Sequence, residues 1–289
     1  GEILLIHAAP KAYLFVREIT RLAYQMGAKY VKADFSDSYA DILRCQYARE
    51  EDLDFYPQWL SNYLGDSARD NVSILSLYNP APGQFDGLDP MRIARMEQAS
   101  LTGRIPFSQA RSDGHVSWVK TCIPNPEWAA KVYPELSADE ALSQLWSDII
   151  KVVRLDADDP VQAWVDHKNQ IRAKKDLLNQ LDLTKLCFRG PGTDLEIGLV
   201  ENGTWIGGYD INEKDGSEYI PNIPTEEIFY VPHKYKINGT VRATLPLNYN
   251  GTIIRGFEMK IQDGRVVQYH ADEGELALKS ILETDAGSC

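Results

Sequence analysis

The chain changes texture near residue 185, which calls for two differently built parts. From Glu2 to about Pro124, short apolar runs alternate with segments of helical periodicity. Ile3–His7, Lys29–Phe35, Val72–Tyr78 and His115–Ile123 are predicted strands. Ala12–Met26, closed by Gly27, is a predicted helix with Leu14, Ile19, Leu22, Ala23 and Met26 at helical spacing. Ser36–Tyr56, Pro57–Leu64 and Asp89–Arg111 are predicted to be helical as well, the last with Pro90 suited to its first turn. Strands separated by helices demand parallel crossovers, so this half is expected to build an open sheet. Ser137–Leu181 is wholly helical in texture, with two long helices over about Ala138–Arg154 and Asp159–Leu181. Ser137-Ala-Asp-Glu140 matches a capping box at the start of the first.

From Leu186 onward, glycine clusters and Asn-Gly pairs punctuate short alternating runs. Asp194–Leu199, Thr204–Gly207, Thr240–Pro246, Gly251–Gln262 and Arg265–Ala271 are predicted strands, and Gly274–Glu283 a final helix. The expected architecture is an α/β domain over 1–184, with a mostly parallel sheet, flanking helices and a helical linker. An α+β, β-rich domain follows over 185–289. Its strands are expected to form a layer of their own, apart from the sheet of residues 2–124.

Charge and composition narrow the function. Acidic residues outnumber basic ones 42 to 30, for a net charge of −12, and no Lys/Arg block stands out. Such a surface repels phosphate backbones, so nucleic acid is not an expected partner. No run approaches the roughly 18 apolar residues of a membrane span. Ile3-Leu4-Leu5-Ile6 lacks the basic flank and length of a signal segment and reads as a buried strand. The cysteines, at 45, 122, 187 and 289, form no close pair and read as reduced thiols of a cytoplasmic protein. Sequons at Asn71, Asn202, Asn238 and Asn250 carry no glycosylation signal without a leader. The last three are Asn-Gly pairs, the chemistry of type I′ hairpin turns.

The familiar catalytic motifs are missing. There is no HExxH, no GxSxG, no P-loop and no glycine-rich turn after the first strand. His7, His115, His167, His233 and His270 are not spaced as a zinc-ligand pair on one helix face. The densest region runs from Gly190 to His233. It holds Gly190-Pro-Gly-Thr-Asp-Leu-Glu-Ile-Gly198, Trp205-Ile-Gly-Gly208 and Pro221-Asn-Ile-Pro-Thr-Glu-Glu-Ile-Phe-Tyr-Val-Pro-His233. Prolines stiffen the approach to Glu226 and Glu227, and in an extended segment only one of two neighbours faces a given site. A rigid loop presenting one carboxylate suits a metal, yet composition alone favours a solvated Glu-Glu turn. Asp194 and Glu196 share a strand face and read first as exposed polar positions. Two other classes stay open: a carboxylate-pair hydrolase such as a glycosidase, built on Asp194, Glu196 and Glu227, and a non-catalytic peptide-binding or assembly module.

The series GPGTDLxIGL, WxGG and PNIPTEExF followed by Pro-His resembles the M29 family of metal-dependent aminopeptidases. Asp159-Pro160-Val-Gln-Ala-Trp164 is similar to that family's DPVxAW helix start, and Leu282-Glu-Thr-Asp285 to its (D/E)TDEG segment. The resemblance runs in order along essentially the whole chain. It implies a cytoplasmic, homodimeric exopeptidase that removes N-terminal amino acids from peptides. It also implies two divalent metal ions (zinc, cobalt, magnesium or manganese) in a C-terminal catalytic domain. Carried onto this sequence, Glu227 is the first metal ligand, and Glu226 receives no ligand role. The family's other ligands, a glutamate in an LGE motif and then histidines and an aspartate, are expected beyond Cys289. On that expectation the 289 residues are a fragment that binds no metal tightly and is inactive alone.

Overall fold

A computed structural model describes residues 1–79, 82–249, 252–285 and 287–288. The first part of the chain runs β1 (Ile3–Ala8), α1 (Tyr13–Gln25), β2 (Tyr30–Phe35), α2 (Tyr39–Tyr47), α3 (Gln58–Arg69) and β3 (Ser73–Tyr78). It continues through α4 (Pro90–Gly103), α5 (Ile105–Ser112), β4 (Trp118–Cys122), α6 (Pro126–Val132), α7 (Ala138–Val152) and α8 (Pro160–Gln180). The strand-rich part follows as β5 (Lys185–Gly190), β6 (Thr193–Leu199), β7 (Asp210–Ile211), β8 (Glu218–Tyr219) and β9 (Asn222–Ile223). Last come β10 (Pro232–Arg242), β11 (Leu247–Tyr249), β12 (Thr252–Ile254), β13 (Glu258–Gln262), β14 (Arg265–His270) and α9 (Glu275–Leu282).

The chain divides into two compact units. One comprises Gly1–Ala81, Arg92–Asp166 and Gly208–Glu226; the other comprises Pro82–Met91, His167–Gly207 and Glu227–Cys289. The first is built on a five-stranded sheet of order β2-β1-β3-β4-β9, parallel throughout. The alternation of β1 decides its two faces. Ile6 and Ala8 pack with Ala12 and Val16 on one side, while Leu5 packs with Ala68, Val72, Ile74 and Val116 on the other. Helix α1 docks through Val16 and Ile19, with Ala12 just before it, and not through the whole apolar set its sequence suggests. Leu14 and Met26, predicted on the buried face, are 64% and 88% exposed. Apolar residues lie on several sides of this helix, so spacing alone did not select the docking face.

The Ser137–Glu140 capping box forms at the start of α7, whose Ala141, Leu145 and Ile149 join Ala129 of α6 in a core. Asp159 caps α8 by accepting the Gln162 amide at 2.9 Å. The predicted helix 89–111 is two helices, α4 and α5. Arg104 separates them, and Pro106 lies in the first turn of α5. Helix 36–56 stops at Tyr47, where Ala48 turns extended.

The second unit contains a five-stranded antiparallel sheet of order β14-β13-β10-β6-β5. Strands 193–199 and 232–242 thus pair with each other and not with the parallel sheet. Ile254, Ala271, Ala277, Leu278 and Leu282 form the core beneath α9. Three local readings change. Thr204–Gly207 is not a strand; it makes one bridge, Ile206 to Phe229. The run predicted as Gly251–Gln262 is broken between β12 and β13, and its first residue lies outside the described residues. Asn238-Gly239 is not a turn: it sits inside β10, with Gly239 opposite Leu195 on one side and Ile261 on the other. A turn of that chemistry forms instead at Asp263-Gly264 between β13 and β14, where both residues have positive φ, 48° and 75°, as a type I′ turn requires. The Asn250-Gly251 pair and Cys289 lie outside the described residues. Among the described residues no helix is long and apolar enough to cross a membrane.

Candidate functional site

The segment carrying the adjacent glutamates is fixed at both ends. On its N-terminal side β9 joins the parallel sheet: Asn222 pairs with Lys120 and Ile223 with Thr121, and the Lys120 amide donates to the Pro221 carbonyl at 2.8 Å. The Ile223–Pro224 peptide bond is cis. Thr225 is buried, whereas Glu226 and Glu227 are exposed. On the C-terminal side, the Ile206 and Phe229 amides donate to each other's carbonyls at 3.0 and 2.9 Å. Tyr230 packs against Trp205 with the rings tilted by 50° and 5.1 Å between centroids, and donates its hydroxyl to the Val200 carbonyl at 3.0 Å. Asn179 of α8 exchanges two hydrogen bonds with the Trp205 backbone, at 2.8 and 3.2 Å. The WIGG and TEE motifs are therefore neighbours. Residue 207 has φ 144°, and a Cβ there would overlap the Glu227 carbonyl and lie 3.0 Å from Ile228 Cα. The glycine permits this approach.

The two carboxylates differ in their commitments. Glu226 Oε1 accepts from Arg154 Nη2 at 2.9 Å. Among the described residues the Glu227 carboxylate has no hydrogen-bond or ion-pair partner. It is an anionic oxygen donor left open to solvent, the kind of group a divalent cation takes as one ligand. A metal site needs more. Among the described residues no group of three or more His, Cys, Asp or Glu side chains is placed to hold an ion. The residues described here thus fit one coordination position and not a complete centre.

The other candidates go elsewhere. Asp194 pairs with Arg189 at 2.6 Å and Glu196 with Lys185 at 2.8 Å, both across the β5–β6 ladder. Hydrogen bonding to the Lys185 ammonium lowers the Glu196 carboxyl below its usual range. These are exposed cross-strand ion pairs, and nothing in their surroundings separates the two carboxyls into acid and base. His233 Nδ1 accepts the Tyr235 amide at 3.3 Å. His270 is exposed and contacts Glu275 at 2.7 Å. His167 is buried in α8. Among the described residues Cys45, Cys122 and Cys187 form no disulfide.

His7 belongs to a second titratable group, in the parallel sheet. It lies beside Asp34 in the β1–β2 register, and its Nε2 is buried with no hydrogen-bond partner among the described residues. Burial lowers its pKa, assisted by Arg104 and Lys32 and opposed by Asp34. Burial also opposes ionisation of Asp34, but bonds from Lys32 and the Tyr63 hydroxyl outweigh it and its pKa falls. For His7 the sign follows from linkage. As pH drops below about 6.5, the unfolded chain takes up a proton that the folded chain refuses, so stability falls until the lowered folded pKa is passed. Thermal melts between pH 8 and 5 should show a steeper decline for the parent than for His7→Gln. Parallel curves would mean that His7 is not held neutral by burial.

A family model described as thermophilic metalloprotease (M29) matches residues 1–289. The chain belongs to the M29 family. Aminopeptidase 2 of Geobacillus stearothermophilus is 35% identical over 288 residues, an alignment covering 100% of this chain and 70% of that protein. Aminopeptidase T of Thermus aquaticus is 34% identical with the same coverage. The solved structure of wild-type AmpT from Thermus thermophilus superposes with a TM-score of 0.90 at 32% identity, covering 100% of this chain and 71% of that one. M29 membership brings with it the fold seen here, a parallel α/β sheet plus antiparallel sheets. Sequence reasoning had found the TEE segment. It had missed Arg154, whose 72-residue separation from Glu226 leaves no local signal.

Proposed function

We propose that the protein is a metal-dependent aminopeptidase in which Glu227 is a metal ligand. The observation carrying this reading is the Glu227 carboxylate, unpartnered among the described residues, on a segment pinned by the Ile206–Phe229 bonds, within a chain whose residues 1–289 match the M29 family. The substrates are peptides with a free N-terminus, and the enzyme is a cytoplasmic homodimer using two divalent ions of the zinc, cobalt, magnesium or manganese type. Such ions, when bound, supply an activated water and a polarised carbonyl. The chain's own contribution is to hold one carboxylate open and in place. Catalytic metals need about three protein ligands each, so residues 1–289 alone are proposed to bind metal weakly and to be inactive.

The test compares aminoacyl-nitroanilides with chromogenic glycosides as substrates of the intact protein. Nitroanilide hydrolysis that a chelator abolishes and added zinc or cobalt restores is the expected result. Chelator-insensitive glycoside cleavage would favour the carboxylate-pair hydrolase. Peptide binding without turnover would favour the binding module. Calorimetry on residues 1–289 with zinc or cobalt should show weak binding or none. Stoichiometric, sub-micromolar affinity lost in Glu227→Gln would mean that the ligand set had been misjudged.

A further inference from the structure

Arg154 has an unusual setting. It follows α7 with φ 61°, a left-handed conformation that few non-glycine residues adopt. Its guanidinium lies over the Trp164 ring at 4.9 Å and donates to Glu226 at 2.9 Å. Trp164 is itself tethered, its Nε1 donating to the Val153 carbonyl at 2.9 Å. The Arg154 side chain is only 26% exposed, although its partner carboxylate is 69% exposed. Its Nη1 also donates to the Val152 carbonyl at the end of α7, at 3.3 Å, so one side chain ties the helix terminus to the glutamate; the exposed carboxylate itself gains little stability from the ion pair. A planar guanidinium can stack on an indole and bind a carboxylate at once, which a lysine ammonium does poorly. The DPVxAW and TEE motifs therefore meet through Arg154, and they meet on the glutamate next to the proposed ligand.

We propose that Arg154, braced by Trp164, is a positioning residue for Glu227. By drawing Glu226 to one side, it settles which of the two adjacent carboxylates is presented to the metal and prevents their exchange. This inference rests on the reading of Glu227 as a ligand. Partners outside the coordination sphere typically cost about 10–100-fold in affinity or activity when removed.

The experiment uses the intact protein loaded with cobalt, with Arg154→Ala, Arg154→Lys, Glu226→Gln, Glu227→Gln and the Arg154→Ala/Glu226→Gln double variant. Melting temperature, kcat and KM, cobalt affinity by chelator competition, and the visible cobalt spectrum are measured. Arg154→Ala should lower kcat and cobalt affinity about 10-fold, at the lower end of that range, with KM little changed and the cobalt bands shifted. Arg154→Lys should recover only part of this, and the double variant should be no worse than Arg154→Ala. Parental kcat and cobalt spectrum in Arg154→Ala, with Glu227→Gln dead, would overturn this inference and leave the ligand reading standing. A fully active Glu227→Gln would overturn both.

Discussion

Glu227→Ala in the intact protein is expected to abolish aminopeptidase activity, whereas Glu226→Ala keeps a substantial part of it. Neighbours on an extended segment project to opposite sides. The structure gives each side an identity: Glu226 reaches Arg154 at 2.9 Å, and Glu227 has no partner among the described residues. Loss of a group outside the coordination sphere costs about 10–100-fold, so loss of a direct ligand should exceed that range, while Glu226→Ala, at its mild end, should retain about a tenth. Circular dichroism and a thermal melt must show both variants folded. A dead Glu226→Ala beside an active Glu227→Ala would shift the register by one residue. Near-parental turnover in both would remove this loop from the metal site.

Gly207→Ala is expected to be the most damaging small change near the site. The residue has φ 144°, and its added Cβ would overlap the Glu227 carbonyl and lie 3.0 Å from Ile228 Cα. The obstacle is backbone, which cannot swing aside as a flexible side chain can. Strain of this kind together with overpacking should cost roughly 3 kcal/mol of stability. The displaced segment is the one the Ile206–Phe229 bonds hold, so activity should fall well before unfolding. Turnover measured at least ten degrees or so below the melting transition separates the two effects. A variant with parental melting and parental activity would show that the two segments are not held together as described.

The parallel sheet was legible because its first four strands are short apolar or alternating runs, each followed by a helix, and the buried pairs Leu5/Ile6 and Ile74/Leu77 obey strand alternation. The return of residues 208–226 to the parallel-sheet unit was not legible. Strands β7, β8 and β9 have two residues each, too few for periodicity. Polar groups pin the segment instead. Asn212 is 1% exposed and donates to Asn71 at 3.1 Å and Ser117 at 2.8 Å, while Lys214 Nζ donates to the Ala68 carbonyl at 2.6 Å. In sequence these residues look like any solvated loop. Asn238-Gly239 misled in the opposite way: its composition signals a turn, but ladders on both sides keep it in a strand. Glu227 was visible only through its motif, since its exposure matches that of an ordinary solvated glutamate. What separates it from Glu226 is a partner 72 residues away.

If Glu227 holds a metal ion, its substitution must change the metal content of the protein. Elemental analysis of the intact protein after dialysis should give two divalent ions per chain, and Glu227→Gln, folded by circular dichroism, should lose at least one of them. Two tightly held ions in Glu227→Gln, with unchanged affinity, would contradict the assignment.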